Sequence, residues 1–217
     1  VDFYYPNTIR TQIGNPGIRV SVAGGLGYSV AVSSAVGLRV TYGTGLTGAV
    51  NLMTADTTAP ILYWYVVTSG GTASLHYQRS DGQSRLYPVT TSSQVNIDNP
   101  TTGKVVAHAT SGTLITYTGR LSGMATGTSS VSPVLSLPVE TYLRGVVPSE
   151  SPPSWPQAAL AAQAVAARIY AKSAIDHPRA PGHYDICATT SCQCFNGLAT
   201  EPPATNAASL ASAGCAA

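Results

Sequence analysis

The sequence predicts an α+β fold: a β-rich N-terminal half, a buried alanine-rich helix, and a C-terminal segment tied by disulfides. Three observations predict it. Short apolar runs with strand-like spacing recur from Ile18 to about Arg120, and one later stretch, Ala158 to Ile175, contains neither Gly nor Pro. All four cysteines (Cys187, Cys192, Cys194 and Cys215) fall near the C-terminus. Alternation with period two marks a half-buried strand, and a long unbroken apolar stretch marks a helix.

The first strand is read at Ile18-Arg19-Val20-Ser21-Val22, where apolar and polar residues alternate. Similar runs follow at 28–32, 38–42, 61–68, 73–78, 94–97, 104–107 and 113–117. Turn residues such as Gly24-Gly25, Gly70-Gly71 and Asn99-Pro100 separate them. Ser80-Asp81-Gly82-Gln83 is the clearest hairpin, because Asp-Gly readily takes the positive φ angles of a type I′ turn. His76 and His108 stand alone in strand-like runs, without partners at metal spacing, and read as packed or surface histidines. The polar stretch from Ser122 to Ser132 reads as a separator. It divides a β-rich part (1–121) from a helical part (133–217) of one domain.

Leu137-Pro138-Val139-Glu140-Thr141-Tyr142-Leu143 can start a short helix, since Pro is tolerated in a first turn. Pro148-Ser149-Glu150-Ser151-Pro152-Pro153 reads as a stiff, proline-bracketed loop. The next helix has Ser154 as its expected cap, Pro156 in the first turn and Gln157 at the capping-box position; Pro178 stops it. Its sequence is apolar nearly all round, which predicts burial on every side. Arg168 is then a buried cation that must meet a carboxylate or a bound anion, with Glu140, Glu150 and Asp185 as candidates. A plain ion pair and a functional role both stand open at this point.

Composition narrows the function. With 217 residues the chain can bury a substantial core. Charged residues make up only 9%, against about 25% in typical soluble chains. Ser, Thr, Gly and Ala replace them, which suits a surface that meets sugars, wall polymers or other subunits. A net charge of +2, with no Lys/Arg run, excludes a polybasic nucleic-acid binder. No stretch approaches the ~20 apolar residues of a membrane span. The chain begins at Val1 with no charged-then-apolar leader, so the reading is a processed or trimmed product, a domain incomplete at both ends. An even, clustered set of cysteines points to disulfides in an oxidising compartment. Of three possible pairings, Cys187–Cys192 closes a small loop and leaves Cys194–Cys215 to tie down the end.

Three blocks carry a family resemblance. The run Leu137-Pro138-Val139-Glu140-Thr141-Tyr142-Leu143-Arg144-Gly145-Val146-Val147-Pro148-Ser149-Glu150 resembles the core signature of the SpoIID/LytB family. Ser154-Trp155-Pro156 and Ala159 through Arg168 continue it, and Tyr184-Asp185-Ile186-Cys187 with Thr189-Thr190-Ser191-Cys192-Gln193 is similar to the next block. Weaker likenesses at Phe3-Tyr4-Tyr5-Pro6-Asn7-Thr8, Ile18-Arg19-Val20 and Tyr117-Thr118-Gly119-Arg120-Leu121 point to the actinobacterial-type arrangement. Ala188, Cys194 and Ile169 depart from the usual residues at their positions.

The resemblance implies a secreted peptidoglycan lytic transglycosylase, located outside the cell or in the envelope, with glycan strands as its partner. Its acid/base is Glu150, the glutamate of the Val-Val-Pro-x-Glu motif. One carboxyl suffices where an ordinary glycosidase needs two, because the C6 hydroxyl of N-acetylmuramic acid is the nucleophile and a 1,6-anhydro product results. The acid role asks for a partly desolvated pocket around Glu150. Gln163, Arg168, Tyr184, Thr190 and Gln193 are candidates to line the groove, Arg168 by meeting a muramic lactyl carboxylate or by orienting Glu150. Trp155 reads either as a sugar-stacking ring or as a core plug. Some relatives hold zinc with a His and two Cys, which makes His183, Cys187 and Cys192 an alternative ligand set; the reading adopted is disulfide, without metal or cofactor. Two other functions compete: a non-catalytic wall-binding or amidase-enhancing module, and a self-associating subunit of an extracellular assembly.

Overall fold

The computed structural model describes residues 11–12, 15–87, 92–197, 202–212 and 215–216, so the Tyr-Tyr-Pro run at residues 3–8 lies outside the described residues. Two compact units form: Val1–Ile18 together with Leu137–Ala217, and Arg19–Ser136. Strands dominate the second and helices the first, with the Cys187–Cys192 disulfide in the C-terminal region. The α+β class read from the sequence holds.

After β1 (Thr11–Gln12), the β-rich part follows in chain order as β2 (Gly17–Ser21), the short helix α1 (Ala23–Leu26), β3 (Ala31–Ser33), β4 (Arg39–Tyr42), β5 (Thr47–Asn51) and β6 (Ile61–Ser69). It continues as β7 (Thr72–Arg79), β8 (Ser84–Leu86), β9 (Gln94–Asp98), β10 (Lys104–His108), β11 (Leu114–Thr118), β12 (Arg120–Thr126) and β13 (Ser130–Pro138). One sheet has the order β11-β10-β3-β6-β7-β8, and β2-β13-β12-β9-β4-β5 are successive neighbours in the other. Alternation governs β6 and β7: Trp64, Val66, Leu75 and Tyr77 are buried, while their neighbours Tyr63, Tyr65 and His76 are half-buried. The two sheets approach so closely that a Cβ on Gly123 of β12 would lie 2.9 Å from the Val66 side chain of β6. Only glycine fits there.

His76 and His108 are packed in a row of rings. Tyr65 meets His76 at 5.5 Å, Tyr63 meets Tyr65 at 5.9 Å, and His108 meets Tyr63 at 5.1 Å between centroids. Tyr65 and His76 are directly opposite on neighbouring strands, and such a cross-strand aromatic pair stabilises the sheet. Burial lowers the His76 pKa from its ordinary value.

Two sequence expectations change in this unit. The Ser80–Gln83 segment does join two antiparallel strands, with Gln78 opposite Ser84. Yet only Gly82 has positive φ, so the turn is not type I′. Asp81 instead turns its carboxylate onto Arg79. The expected separator at Ser122–Ser132 is a hairpin, β12 against β13, paired from Arg120↔Ser136 to Thr126↔Ser130. Polarity misled because the buried Ser122 is satisfied: its hydroxyl donates to Asn96 Oδ1 at 2.7 Å, and Asn96 Nδ2 donates to the Gly43 carbonyl at 3.0 Å.

Arg79 is buried between two carboxylates, with Asp56 at 3.0 Å and Asp81 alongside. Backbone N–H groups of Thr58 and Ala59, and then Arg79, hold the Asp56 carboxyl down to about 2. Its folded pKa is thus below the unfolded one, so its stabilising effect is full above about pH 4 and fades as pH falls towards 2. Asp56→Asn is therefore expected to be less stable than the parent at pH 5–7, with the gap closing between pH 4 and 2. Urea midpoints measured across that range check it; a gap independent of pH refutes it.

The helical unit holds α2 (Val139–Glu150), α3 (Gln157–Asp176), β14 (Ile186–Cys187), α4 (Pro203–Ala211) and β15 (Cys215–Ala216), the last antiparallel to β1. Val147 of α2, Leu160 and Ala164 of α3, and Ala208 of α4 form a buried cluster, with Ala161 and Ala204 against it. Alanine at these contacts lets helix backbones come close. The expectation that α3 is buried on every side is corrected: Leu160, Ala164, Ala167, Arg168 and Ala171 are buried, whereas Ala158, Ala162, Ala166 and Tyr170 are exposed. An exposed alanine costs little and favours helix strongly, so an apolar surround here reports helix propensity rather than enclosure. The Ser154 cap is also corrected, since the N-cap is Pro156 and no side chain caps the helix. Among the described residues no helix is long and apolar enough to cross a membrane.

Candidate functional site

Glu150 is the last residue of α2, not part of a loop, and α2 carries Pro148 within its final turn. Pro148 has no N–H to give to the preceding turn, and the Ser149 hydroxyl donates to the Gly145 carbonyl at 2.7 Å. Glu150 itself is exposed. The expectation of a sheltered pocket around it is therefore corrected. A strong contact positions it: the Cys194 backbone N–H donates to Glu150 Oε1 at 2.6 Å.

Residues 192–195 build the support for that contact. Cys187 and Cys192 form a disulfide, with Cα atoms 5.5 Å apart, that closes the 187–192 loop just before Cys194. Gln193 is buried; it accepts from the Tyr142 hydroxyl at 3.2 Å and donates to the Ala167 carbonyl at 3.4 Å. Phe195 stacks on the Tyr142 ring at 5.2 Å. Tyr142 is displaced upward in pKa by burial first, then by the charges of Glu150, Tyr170 and Cys194. Burial first, then the Glu150 charge and hydrogen bond, also raise the Cys194 thiol. These are marks of a carboxylate held beside a phenol and a thiol.

The α2 helix admits this cluster at Gly145. A Cβ there would lie 2.5 Å from Phe195 Cε2 and 2.8 Å from Cδ2. Gly145→Ala is expected to push the Phe195 ring off Tyr142 and to lower stability by about 1–3 kcal/mol through overpacking. Guanidinium unfolding checks it; a change within about 0.5 kcal/mol means that the ring yields freely.

The other predicted residues are placed differently. Arg168 is fully buried. Its Nε and Nη2 donate to the two carboxylate oxygens of Glu140 at 2.7 and 2.9 Å, and Nη2 also reaches the Ser209 carbonyl in the last turn of α4 at 3.3 Å. Of the carboxylates named as partners for Arg168, Glu140 meets it in an ion pair. Gln163 is half-buried on α3, Tyr184 is half-buried with its N–H on the Ala180 carbonyl, and Thr190 is exposed on the disulfide loop. No hydrogen bond among the described residues ties these three to Glu150. Trp155 is 49% exposed, which removes the core-plug reading.

The cysteines resolve in part. The small-loop pairing Cys187–Cys192 forms, but Cys194 is a free thiol, so the Cys194–Cys215 pairing is corrected; the Cys215 side chain lies outside the described residues. With both sulfurs joined, Cys187 and Cys192 have no thiolate to offer, and the His183-Cys187-Cys192 set does not fit zinc in this state. Sequence reasoning missed Tyr142 and the backbone N–H of Cys194 as neighbours of Glu150. Tyr142 lies eight residues before Glu150 in the same motif, whereas nothing in one dimension marks an amide 44 residues away.

Residues 128–215 match the family model described as Stage II sporulation protein, SpoIID. An uncharacterized protein of Brachyspira hyodysenteriae is 45% identical over 64 residues, which are 30% of this chain and 17% of that protein. The chain thus spans less than a fifth of the curated relative that it matches. No solved structure matches it. The matched segment contains α2, α3 and the disulfide loop, the elements that hold Glu150, so through residues 128–215 the chain is similar to the SpoIID family.

Proposed function

We propose that this protein acts on the bacterial cell wall as a lytic transglycosylase, cutting the MurNAc–GlcNAc bonds of peptidoglycan glycan strands with Glu150 as the sole acid/base. The match of residues 128–215 to the SpoIID family model supports the broad part, a sporulation-related cell-wall role. The observation that carries the finer part is the 2.6 Å bond from the Cys194 N–H to Glu150, which fixes one carboxylate oxygen and leaves the exposed group open to substrate. The carboxylic acid protonates the glycosidic oxygen as the bond from that oxygen to muramic C1 breaks. The C6 hydroxyl then closes on C1, and the carboxylate takes its proton, which regenerates the acid. Shelter from water comes from the bound strand rather than from the protein. Trp155, exposed five residues after Glu150, offers a ring for a sugar face. The Cys187–Cys192 disulfide fits an exported, envelope or extracellular location.

The openness of Glu150 also favours a second reading, a non-catalytic wall-binding or amidase-enhancing module. Peptide-free glycan strands incubated with the protein and analysed by mass spectrometry separate the two. Chains ending in 1,6-anhydro-muramic acid support the transglycosylase; unchanged strands that nonetheless retain the protein on sedimentation support the module.

A further inference from the structure

Arg168 is taken up by Glu140 and cannot meet a ligand carboxylate, but another guanidinium is placed to do so. A cleft of about 200 Å³ lies between the C-terminal end of α3 and the segment 179–186, walled by Tyr170, Ser173, His177, Arg179, Asp185 and Ile186. It is smaller than the roughly 300 Å³ at which drug-sized pockets begin, and so suits one sugar ring or its substituent rather than a strand. Arg179 is exposed at this cleft and held at two points. Its backbone N–H donates to the Asp185 carbonyl at 3.1 Å, and Nη2 donates to the Ser191 carbonyl on the disulfide loop at 2.9 Å. Among the described residues no carboxylate pairs with it.

The opposite wall supplies hydrogen-bonding groups. His177 Nδ1 lies 3.3 Å from the Ser173 carbonyl, which leaves Nε2 for a ligand, and Tyr170 is exposed. Asp185, the acidic member of the lining, is only 5% exposed, whereas Arg179 is exposed.

We propose that this cleft binds a sugar-borne carboxylate, with Arg179 as its charge partner. A guanidinium fixed through Nη2 on the Ser191 carbonyl, on a backbone held by the Asp185 carbonyl, is pre-set for a planar carboxylate, and muramic acid without a stem peptide presents one on its lactyl ether. The choice of sugar rests on the proposed glycan function; the anion selectivity does not.

Titrating the full chain by NMR with N-acetylmuramic acid, N-acetylglucosamine and lactate tests the proposal. The muramic sugar is expected to bind at least about tenfold more tightly than glucosamine, the worth of one charge-assisted hydrogen bond. Arg179→Gln is expected to erase that preference. Arg179→Lys, which keeps the charge without the fork, holds an intermediate one. Glu150→Gln keeps it in full, so a failure of the cutting chemistry leaves this result standing. Equal binding of the two sugars, a preference that survives Arg179→Gln, or one lost in Glu150→Gln overturns the assignment. Lactate binding as tightly as the muramic sugar also overturns it, since the cleft then takes free small carboxylates.

Discussion

Glu150→Gln is expected to lower the yield of 1,6-anhydro ends from peptide-free glycan strands by at least about a hundredfold, the scale on which general acid–base catalysis acts. Gln keeps the shape and can still accept from the Cys194 N–H, so the fold should not change. An independent readout guards against misfolding. Burial contributes most to the raised Cys194 thiol, but the Glu150 charge and hydrogen bond add to it. Removing the charge brings the thiol down, increases its thiolate fraction at fixed pH, and should speed alkylation of Cys194 near pH 8. Faster alkylation with lost cutting locates the chemistry at Glu150. Cutting that persists in the variant sinks the acid/base role, and faster alkylation with no cutting by either protein supports the binding module.

The largest loss of stability is expected from Glu140→Gln. Arg168 is fully buried, and Glu140 meets it through both oxygens. Neutralising Glu140 takes a carboxylate away from a fully buried guanidinium, which costs about 3–5 kcal/mol. Arg168→Met is expected to cost less, because Met fills much of the space and the half-buried Glu140 can turn towards water. The order matters more than either value. Urea unfolding of both variants checks it, and a Glu140→Gln protein as stable as Arg168→Met would mean that the buried cation finds a new partner. The pair also ties α2 to α3, while the Arg168 bond to Ser209 places a cation where the α4 carbonyl dipoles converge, a favourable end for positive charge.

Much of the fold was legible because its signals are local. The runs at 38–42, 61–68, 73–78, 94–97 and 104–107 all become strands with ends within two residues of those read, since alternation reports burial directly. Elements whose signal is tertiary stayed hidden. β12 looks polar because Ser122 is paired with Asn96, a contact no neighbouring residue announces. α4 went unread although Pro203 stands at its first position and alanines follow, because it holds through packing on α2 and α3. At the site, Glu150 was found by motif, and Arg168 by the rule that buried charge needs a partner. Which partner it takes is a matter of helix register, and that is set by the packing of three helices. The loop expected around Glu150 failed for a plain reason: Pro148 sits late enough in α2 to lose only one backbone bond, so the helix runs two residues past it.

Asn96 has a role reaching beyond the bonds it makes. Its amide is satisfied from Ser122 on one neighbouring strand and from the Thr41 and Gly43 carbonyls on the other side. A slip of β9 by one position against either neighbour would turn this amide to the opposite face and leave it unanswered. In a chain with so few charges to discriminate between mispairings, one well-answered amide selects the alignment of three strands at once.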